Sequence, residues 1–474
     1  MPRFVHESHF NYSLENVWDW YDSEEAFTRL TPEWEPIKPQ QIGALKDGER
    51  TIFKMKLGPF PRKWIAEHHN VKRFRTFDDT MIKGVFNKWI HSRKFTPNKD
   101  GCVIRDELEW RLPLHFASKF TSPITVMPRL RGMFRYRSDT VRDDLSKISE
   151  TITQKRKRIL ITGSTGLIGT ELYAFLSAAG HDVFRLLRVE SNLPPYANPD
   201  SVIRWNDLTG EIVSGSLENF DAVVHLAGAG IGDKNWSKRR KMLIEKSRTI
   251  PTEILSQKLS ECENKPEVLI SGSAIGWYGG RGNEVLTEES EPGEGFLPNI
   301  CAKWESATQS AKDSGIRVVS MRTGIVVTAK GGMLQRLLLP AKFGALGPIG
   351  GGKQMQSWIS FNDVIYSIHH LIMNKECEGP FNLTSPNPIN QKDFAKLLGK
   401  VLKRPAFAPL PSFVVKLLFG EMGKDLILEG QNVSPKKLLD SGYKFVNADL
   451  ESCLRHTLGK WSTVNDADNM EILP

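Results

Sequence analysis

From residue 158 onward, short apolar runs rich in β-branched residues alternate with longer stretches whose apolar positions recur at helical spacing. Residues 158–169 (RILITGSTGLIG) read as a buried strand running into a glycine-punctuated turn. Residues 183–187, 222–226, 268–271 and 317–321 predict further strands, and 171–179, 238–258 and 303–314 the helices between them. That rhythm predicts an α/β fold, a Rossmann-type doubly wound parallel sheet.

The first 150 residues carry a different pattern. Strand candidates at 4–10, 51–57, 64–74, 81–86, 88–97 and 102–110 surround an amphipathic segment at 14–27. A long helix closes the region, with Leu130, Phe134, Val141, Leu145 and Ile148 on one stripe, interrupted by Arg137. The order predicts an α+β domain whose curved sheet wraps the last helix. The polar segment 146–157 (SKISETITQKRK) predicts a linker, its basic end solvated. The expected division is 1–150, 158–412 and a small module at 413–464.

Length agrees, since 474 residues predict two or three domains. With 40% hydrophobic and 25% charged residues, the chain has ample material for cores. No run approaches 18 apolar residues, and residues 1–10 lack the apolar region of a secretory signal. The five cysteines are scattered without C-x-x-C spacing, so no disulfide framework or metal site is predicted, and the expected location is the cytoplasm. Of the net charge of +9, the first 150 residues hold +5, which marks no nucleic-acid footprint.

The candidate chemistry begins at Gly163, Ser164, Thr165, Gly166, Leu167, Ile168 and Gly169, a G-x-x-G-x-x-G turn between a strand and a helix. The first glycine permits the tight turn, the second lets the backbone approach a pyrophosphate, and the third packs helix on strand. The helix N-terminus then offers N–H groups and a positive dipole end. Dinucleotide binding follows. The next strand ends at Arg188, whose guanidinium suits a ribose 2′-phosphate, with Glu190 close enough to compete. The reading favours NADP, with NAD the alternative. Leu226, Ala227 and Gly228 follow a later strand, where small residues admit a ribose.

With these residues in place, the chain resembles the extended, epimerase-like short-chain dehydrogenases/reductases. It is most similar to an atypical NAD(P)-binding, sugar-nucleotide epimerase-like branch often labelled "cell division inhibitor". The stretches that carry the resemblance include HLAGAGIGDKNW (225–236), SGSAIGWYGGRGNEVLTE (271–288), FLPNICAKWE (296–305), MRTGIVV (321–327) and GPIGGGKQMQSWISFNDV (347–364). The tail 420–458 resembles that branch's small C-terminal module, with Asn432 where members often have arginine. Residues 1–145 resemble START-like (SRPBCC) helix-grip domains through LGPFPRKWIAEHH (57–69), KWIHSRKF (88–95) and FRYRSDTVRDDL (134–145). That resemblance implies an apolar cavity for a hydrophobic ligand. The tryptophans, His68, His69 and His91 either line it or pack the core.

The superfamily's acid/base pair is a tyrosine with lysine four residues on. None of the eight tyrosines here has that lysine, and Leu297 and Cys301 stand where the pair belongs. Ser273 stands where the superfamily places a hydroxyl that polarises the substrate. Tyr278 either approaches the nicotinamide end or packs, and Lys303 either faces the site as acid/base or faces solvent. Cys301 is either a nucleophile or a buried structural thiol. Gln354, Ser357 and Trp358 are expected to touch a small-molecule substrate beneath a flap at Gly350, Gly351 and Gly352, with Asp363 anchoring the next helix. The first reading is an NADP-dependent oxidoreductase or epimerase. The alternatives are a non-catalytic dinucleotide-binding sensor or scaffold, and a lipid or polyketide carrier.

Overall fold

The computed structural model describes residues 2–57, 60–112, 126–151 and 153–461. Seven strands build one antiparallel sheet in the first domain. In spatial order they are Arg3–Phe10, Gly101–Arg111, Lys88–Asn98, Thr76–Lys83, Phe60–Lys72, Arg50–Leu57 and Lys38–Gln41. Alternation sets the faces: Cys102, Ile104, Asp106, Leu108 and Trp110 are buried, with half-buried residues between them. The 23-residue helix Met127–Ser149 closes the inner face with Leu130, Phe134, Val141 and Leu145. It runs unbroken through Arg137, whose Nε donates to the Leu30 carbonyl at 3.1 Å. Trp18, Trp20 and Trp110 are fully buried and pack the core.

Three details differ from the sequence reading. The fourth strand expected at 81–86 lies at Thr76–Lys83, before the turn around Gly84. The segment 14–27 splits into Leu14–Tyr21 and Ala26–Arg29. The edge strand Lys38–Gln41 has no apolar alternation to announce it, because it pairs on one side only.

The second sheet has eight strands, in spatial order Ile212–Ser214, Val202–Trp205, Asp182–Arg188, Arg158–Thr162, Ala222–His225, Val268–Ala274, Arg317–Thr323 and Gly379–Leu383. Neighbours pair in parallel except the outermost pair, Ile212–Ser214 with Val202–Trp205. Both faces are covered, which explains the continuous apolar runs. Helices Leu167–Ala178 and Phe361–Met373 cover one face, and Lys238–Ser260 the other. The chain steps outward from Arg158–Thr162 and returns on its other side at Ala222–His225, so a crevice opens at the carboxyl ends of those two strands.

The tail helix Leu450–Leu458 packs on Gln391–Leu402 and Gly332–Lys342. Asp363, expected to anchor the next helix, accepts from Ser360 Oγ at that helix's N-cap (2.6 Å), and it also holds the tail, accepting from Tyr443 Oη (2.9 Å), Val446 N (2.9 Å) and Asn447 N (3.0 Å). The two large domains meet across buried charges. Arg29 pairs with Asp144 in its own domain (2.6 Å) and with Glu171 in the second (3.3 Å). Glu33 accepts from Thr328 Oγ1 (2.5 Å) and Ala329 N (2.9 Å). Among the described residues, no helix is long and apolar enough to cross a membrane.

Candidate functional site: a dinucleotide crevice and a buried Ser–Glu–Arg network

The glycine turn sits at the switch point. Gly163 has φ +64°, and a Cβ there would stand 2.8 Å from the Leu226 carbonyl carbon and 3.0 Å from Ala227 N. The two cofactor signals separated in sequence are therefore in backbone contact. A Cβ on Gly169 would collide with the Gly163 carbonyl and come within 2.7 Å of Ser164 Cα, so helix and strand meet without space between them. Gly166 caps the helix Leu167–Ala178 in extended conformation, and Thr165, Gly166 and Leu167 are exposed. Ile168 packs inward against the core. Ser164 is fully buried and its Oγ has no partner among the described residues, while its carbonyl accepts from Arg185 Nη1 at 3.1 Å. An open helix N-terminus beside an uncrowded backbone fits the pyrophosphate of a dinucleotide.

Arg188 ends the second strand with its side chain 55% exposed, 3.6 Å from Glu190. Its register partner is Trp205, and the adjacent Arg204 donates to the carbonyls of Arg188 (3.0 Å) and Val189 (3.4 Å). Arg204 brings a second cation to this corner. The sequence reading missed it, because it comes from the third strand rather than the second. His225 beside the crevice is neutral: burial pushes its pKa down to about 4, and Nδ1 meets Thr162 Oγ1 at 2.7 Å.

Ser273 lies in the strand Val268–Ala274, and its Oγ donates to Glu305 Oε1 at 2.6 Å. Glu305 in turn takes both Nε and Nη2 of Arg322, each at 2.9 Å. Arg322 Nη1 donates to Tyr278 Oη and to the Glu288 carbonyl, both at 3.2 Å, and its guanidinium lies 3.8 Å from the Trp277 ring centroid. Tyr278 is fully buried and donates to Asn382 Oδ1 at 2.7 Å. Burial raises its pKa, against the pull of Arg322. Ser273 and Tyr278 are thus brought together, through Glu305 and Arg322. Those two lie inside the matched stretches FLPNICAKWE and MRTGIVV, but only the fold shows that they meet.

Lys303 does not join this network. Its Nζ pairs with Glu245 Oε1 at 2.6 Å and its side chain is 59% exposed, so the solvent-facing alternative holds. Cys301 is the structural thiol: burial pushes its pKa up to about 12, and its Sγ contacts the Ala274 carbonyl at 3.6 Å. The expected substrate contacts also need correction. Gln354 Nε2 donates to the carbonyls of Ile349 and Ile427, Ser357 Oγ to the Gln431 carbonyl, and fully buried Trp358 to the Asn387 carbonyl. Gln354 and Ser357 tie the tail to the body, and Trp358 bonds within the body. Gly350 is packed too, since a Cβ there would meet Leu428 at 2.5 Å.

A cleft of about 860 Å³ opens beside the turn. Thr165, Gly166, Leu167 and Lys330 form one side, and Thr28, Glu33 and Trp34 of the first domain the other. Glu25 reaches Arg185 at 3.0 Å, so the first domain is linked through that arginine to the Ser164 carbonyl.

Residues 159–384 match the NAD dependent epimerase/dehydratase family, and 410–457 match a domain of unknown function. An epimerase family protein of Mycobacterium tuberculosis is 38% identical over 287 residues, covering 60% of this chain and 93% of the relative. A second, YfhF of Bacillus subtilis, is 34% identical over 311 residues, 65% of this chain and 99% of the relative. The chain belongs to the NAD dependent epimerase/dehydratase family. Among solved structures, the human epimerase family protein SDR39U1 with NADPH is 31% identical, with TM-score 0.59 over 64% of this chain and all of that one. The nucleoside-diphosphate sugar epimerase from Corynebacterium glutamicum is 30% identical, with TM-score 0.79 over 98% of this chain and 91% of that one. These two relatives cover 60% and 65% of this chain, whereas the Corynebacterium structure covers 98% of it.

Proposed function

We propose that this protein is an NADP-dependent oxidoreductase or epimerase acting on a small substrate, with a START-like helix-grip domain that holds a hydrophobic ligand. The observation that carries the reading is the fit of Gly163 and Gly169 against Leu226 and Ser164 below an open helix N-terminus. NADPH in the human relative supports the choice of cofactor. The bound nicotinamide supplies the hydride donor or acceptor. The residues Gly163, Ser164, Thr165, Gly166, Leu167, Ile168 and Gly169 hold the phosphates, Leu226, Ala227 and Gly228 flank a ribose, and Arg188 with Arg204 takes the 2′-phosphate.

Ser273 is the hydroxyl that meets the substrate oxygen, and Glu305 is the base that exchanges its proton. Arg322 orients Glu305 through two hydrogen bonds, and Tyr278 holds Arg322. This arrangement replaces the tyrosine–lysine pair. The test is NADPH consumption, or epimerisation, across panels of carbonyl compounds and sugar nucleotides. Glu305→Gln is expected to lower turnover about 100-fold or more with unchanged NADPH affinity. Turnover that survives the substitution refutes the role.

A second reading, a sensor whose dinucleotide state is read by the first domain, is favoured by the link Glu25–Arg185–Ser164. Absence of turnover on every panel, with NADPH bound, selects it.

A further inference from the structure

The first domain has two separate apolar clusters. One contains Phe10, Trp18, Phe77, Phe95, Ile104 and Val141, the other Phe4, Leu108, Trp110, Leu130 and Phe134. Between them a row of ionisable side chains crosses the sheet. His6 pairs in register with Asp106, Asp106 with Arg93, His91 with Asp79, and Asp79 with His68. Asp106 accepts from His91 Nε2 and Arg93 Nε, each at 2.7 Å, and Asp79 meets His68 Nδ1 at 2.5 Å. Ser138 on the long helix meets His6 Nε2 at 3.0 Å.

Burying such a row costs several kcal/mol per ion unless every member is paired, and here the pairing is incomplete. His6 Nδ1 is buried without a partner among the described residues. Arg137 faces the row from the helix. Its Nε is taken by the Leu30 carbonyl, but among the described residues no carboxylate lies within 4.0 Å and no acceptor meets its two Nη groups. Burial and the neighbouring charge of Arg93 push its pKa down to about 10, against the pull of Asp106 and Asp79. The row is also reachable, since His68 and Asp79 keep 13% and 21% of their side-chain surface accessible. Next to it stands an aromatic group. Phe53 stacks on Trp64 at 5.7 Å, Trp64 meets Trp89 at 5.5 Å, and Trp89 meets Phe86 at 4.9 Å.

We propose that the interior of the first domain binds an amphipathic monocarboxylate. Its two oxygens take the two Nη groups of Arg137, and its apolar body lies against Phe53, Trp64, Phe86 and Trp89. The proposal rests on the reading of this domain as a ligand-binding module. A planar guanidinium with both Nη groups open matches a carboxylate bidentately, and a hydroxyl gains little there.

The test titrates dodecanoate and 1-dodecanol into the full-length protein and follows tryptophan fluorescence. Dodecanoate is expected to bind at least about 10-fold more tightly than the alcohol, and Arg137→Gln to bring that ratio to about one with alcohol affinity unchanged. Arg137→Lys, which keeps the charge but not the fork, is expected to fall between. Equal affinities in the unaltered protein overturn the acid headgroup but leave the ligand module standing. No binding of either compound overturns both. An acid preference of 10-fold or more in Arg137→Gln overturns the assignment of Arg137.

Discussion

Arg322 and Glu305 hold the corner around Ser273 together by two parallel hydrogen bonds, with the arginine side chain nearly inaccessible. Removing one partner strands the other as a buried charge. Glu305→Ala is expected to lower stability by about 3–5 kcal/mol, measured by urea denaturation. Ser273→Ala removes only a hydroxyl from the edge of that pair, so it is expected to cost about 1 kcal/mol or less. A large stability loss in Ser273→Ala would show that the serine is structural. Ser273 was legible in the sequence because the family resemblance places a hydroxyl just after the strand expected at 268–271, a strand that extends through it to Ala274. Glu305 was not, because helix periodicity alone does not say which strand a helical carboxylate meets. Lys303 shows the same limit: two residues before Glu305, it turns instead to Glu245 on a neighbouring helix.

The glycine turn was the most legible element, because its glycines answer to local backbone geometry. Gly169→Ala is expected to destabilise the protein by about 1–3 kcal/mol by driving the helix away from Ser164, read as a lower thermal midpoint. The segment 347–364 was misread, because its glycines and polar residues look alike whether they serve a flap or a packed junction. Its partners lie as far away as Gln431, invisible to a local pattern.

A second element-level consequence concerns pH. His181, just after the helix Leu167–Ala178, meets His369 of Phe361–Met373 Nε2 to Nε2 at 3.2 Å, and burial pushes their pKa values down to about 4 and about 3. Their folded pKa values lie below the unfolded 6.5, so the unfolded chain binds more protons below that pH. Their stabilising contribution is present above pH 6.5 and is lost as pH falls towards 4. His369→Phe is expected to flatten the fall in thermal midpoint between pH 6.5 and 4; an unchanged slope would exclude this pair as its source.

Arg29 joins the two large domains, and it was not singled out in the sequence because an arginine on a four-residue helix carries no periodic signal. Its partners Asp144 and Glu171 come from opposite sides of the seam. Arg29→Met leaves Asp144 buried without its cationic partner, while Glu171 keeps Lys330. The expected cost is about 3–5 kcal/mol, seen in calorimetry as one unfolding transition splitting into two. A single transition at an unchanged temperature would contradict this account of the seam. The general plan of the whole molecule, an α+β domain ahead of a doubly wound sheet, was readable from the change in apolar period near residue 150. How the domains meet was not, since the contacts pair residues more than a hundred positions apart.

The central claim is that the crevice at Gly163–Gly169 binds the dinucleotide and prefers its 2′-phosphate form. Its most direct test is a fluorescence titration of NADPH and NADH into the full-length protein and Gly166→Asp. The account predicts saturable NADPH binding in the micromolar range or tighter, weaker NADH binding, and loss of both in Gly166→Asp, whose carboxylate crowds and repels the pyrophosphate. No NADPH binding by the unaltered protein, or undiminished binding by Gly166→Asp, would contradict it.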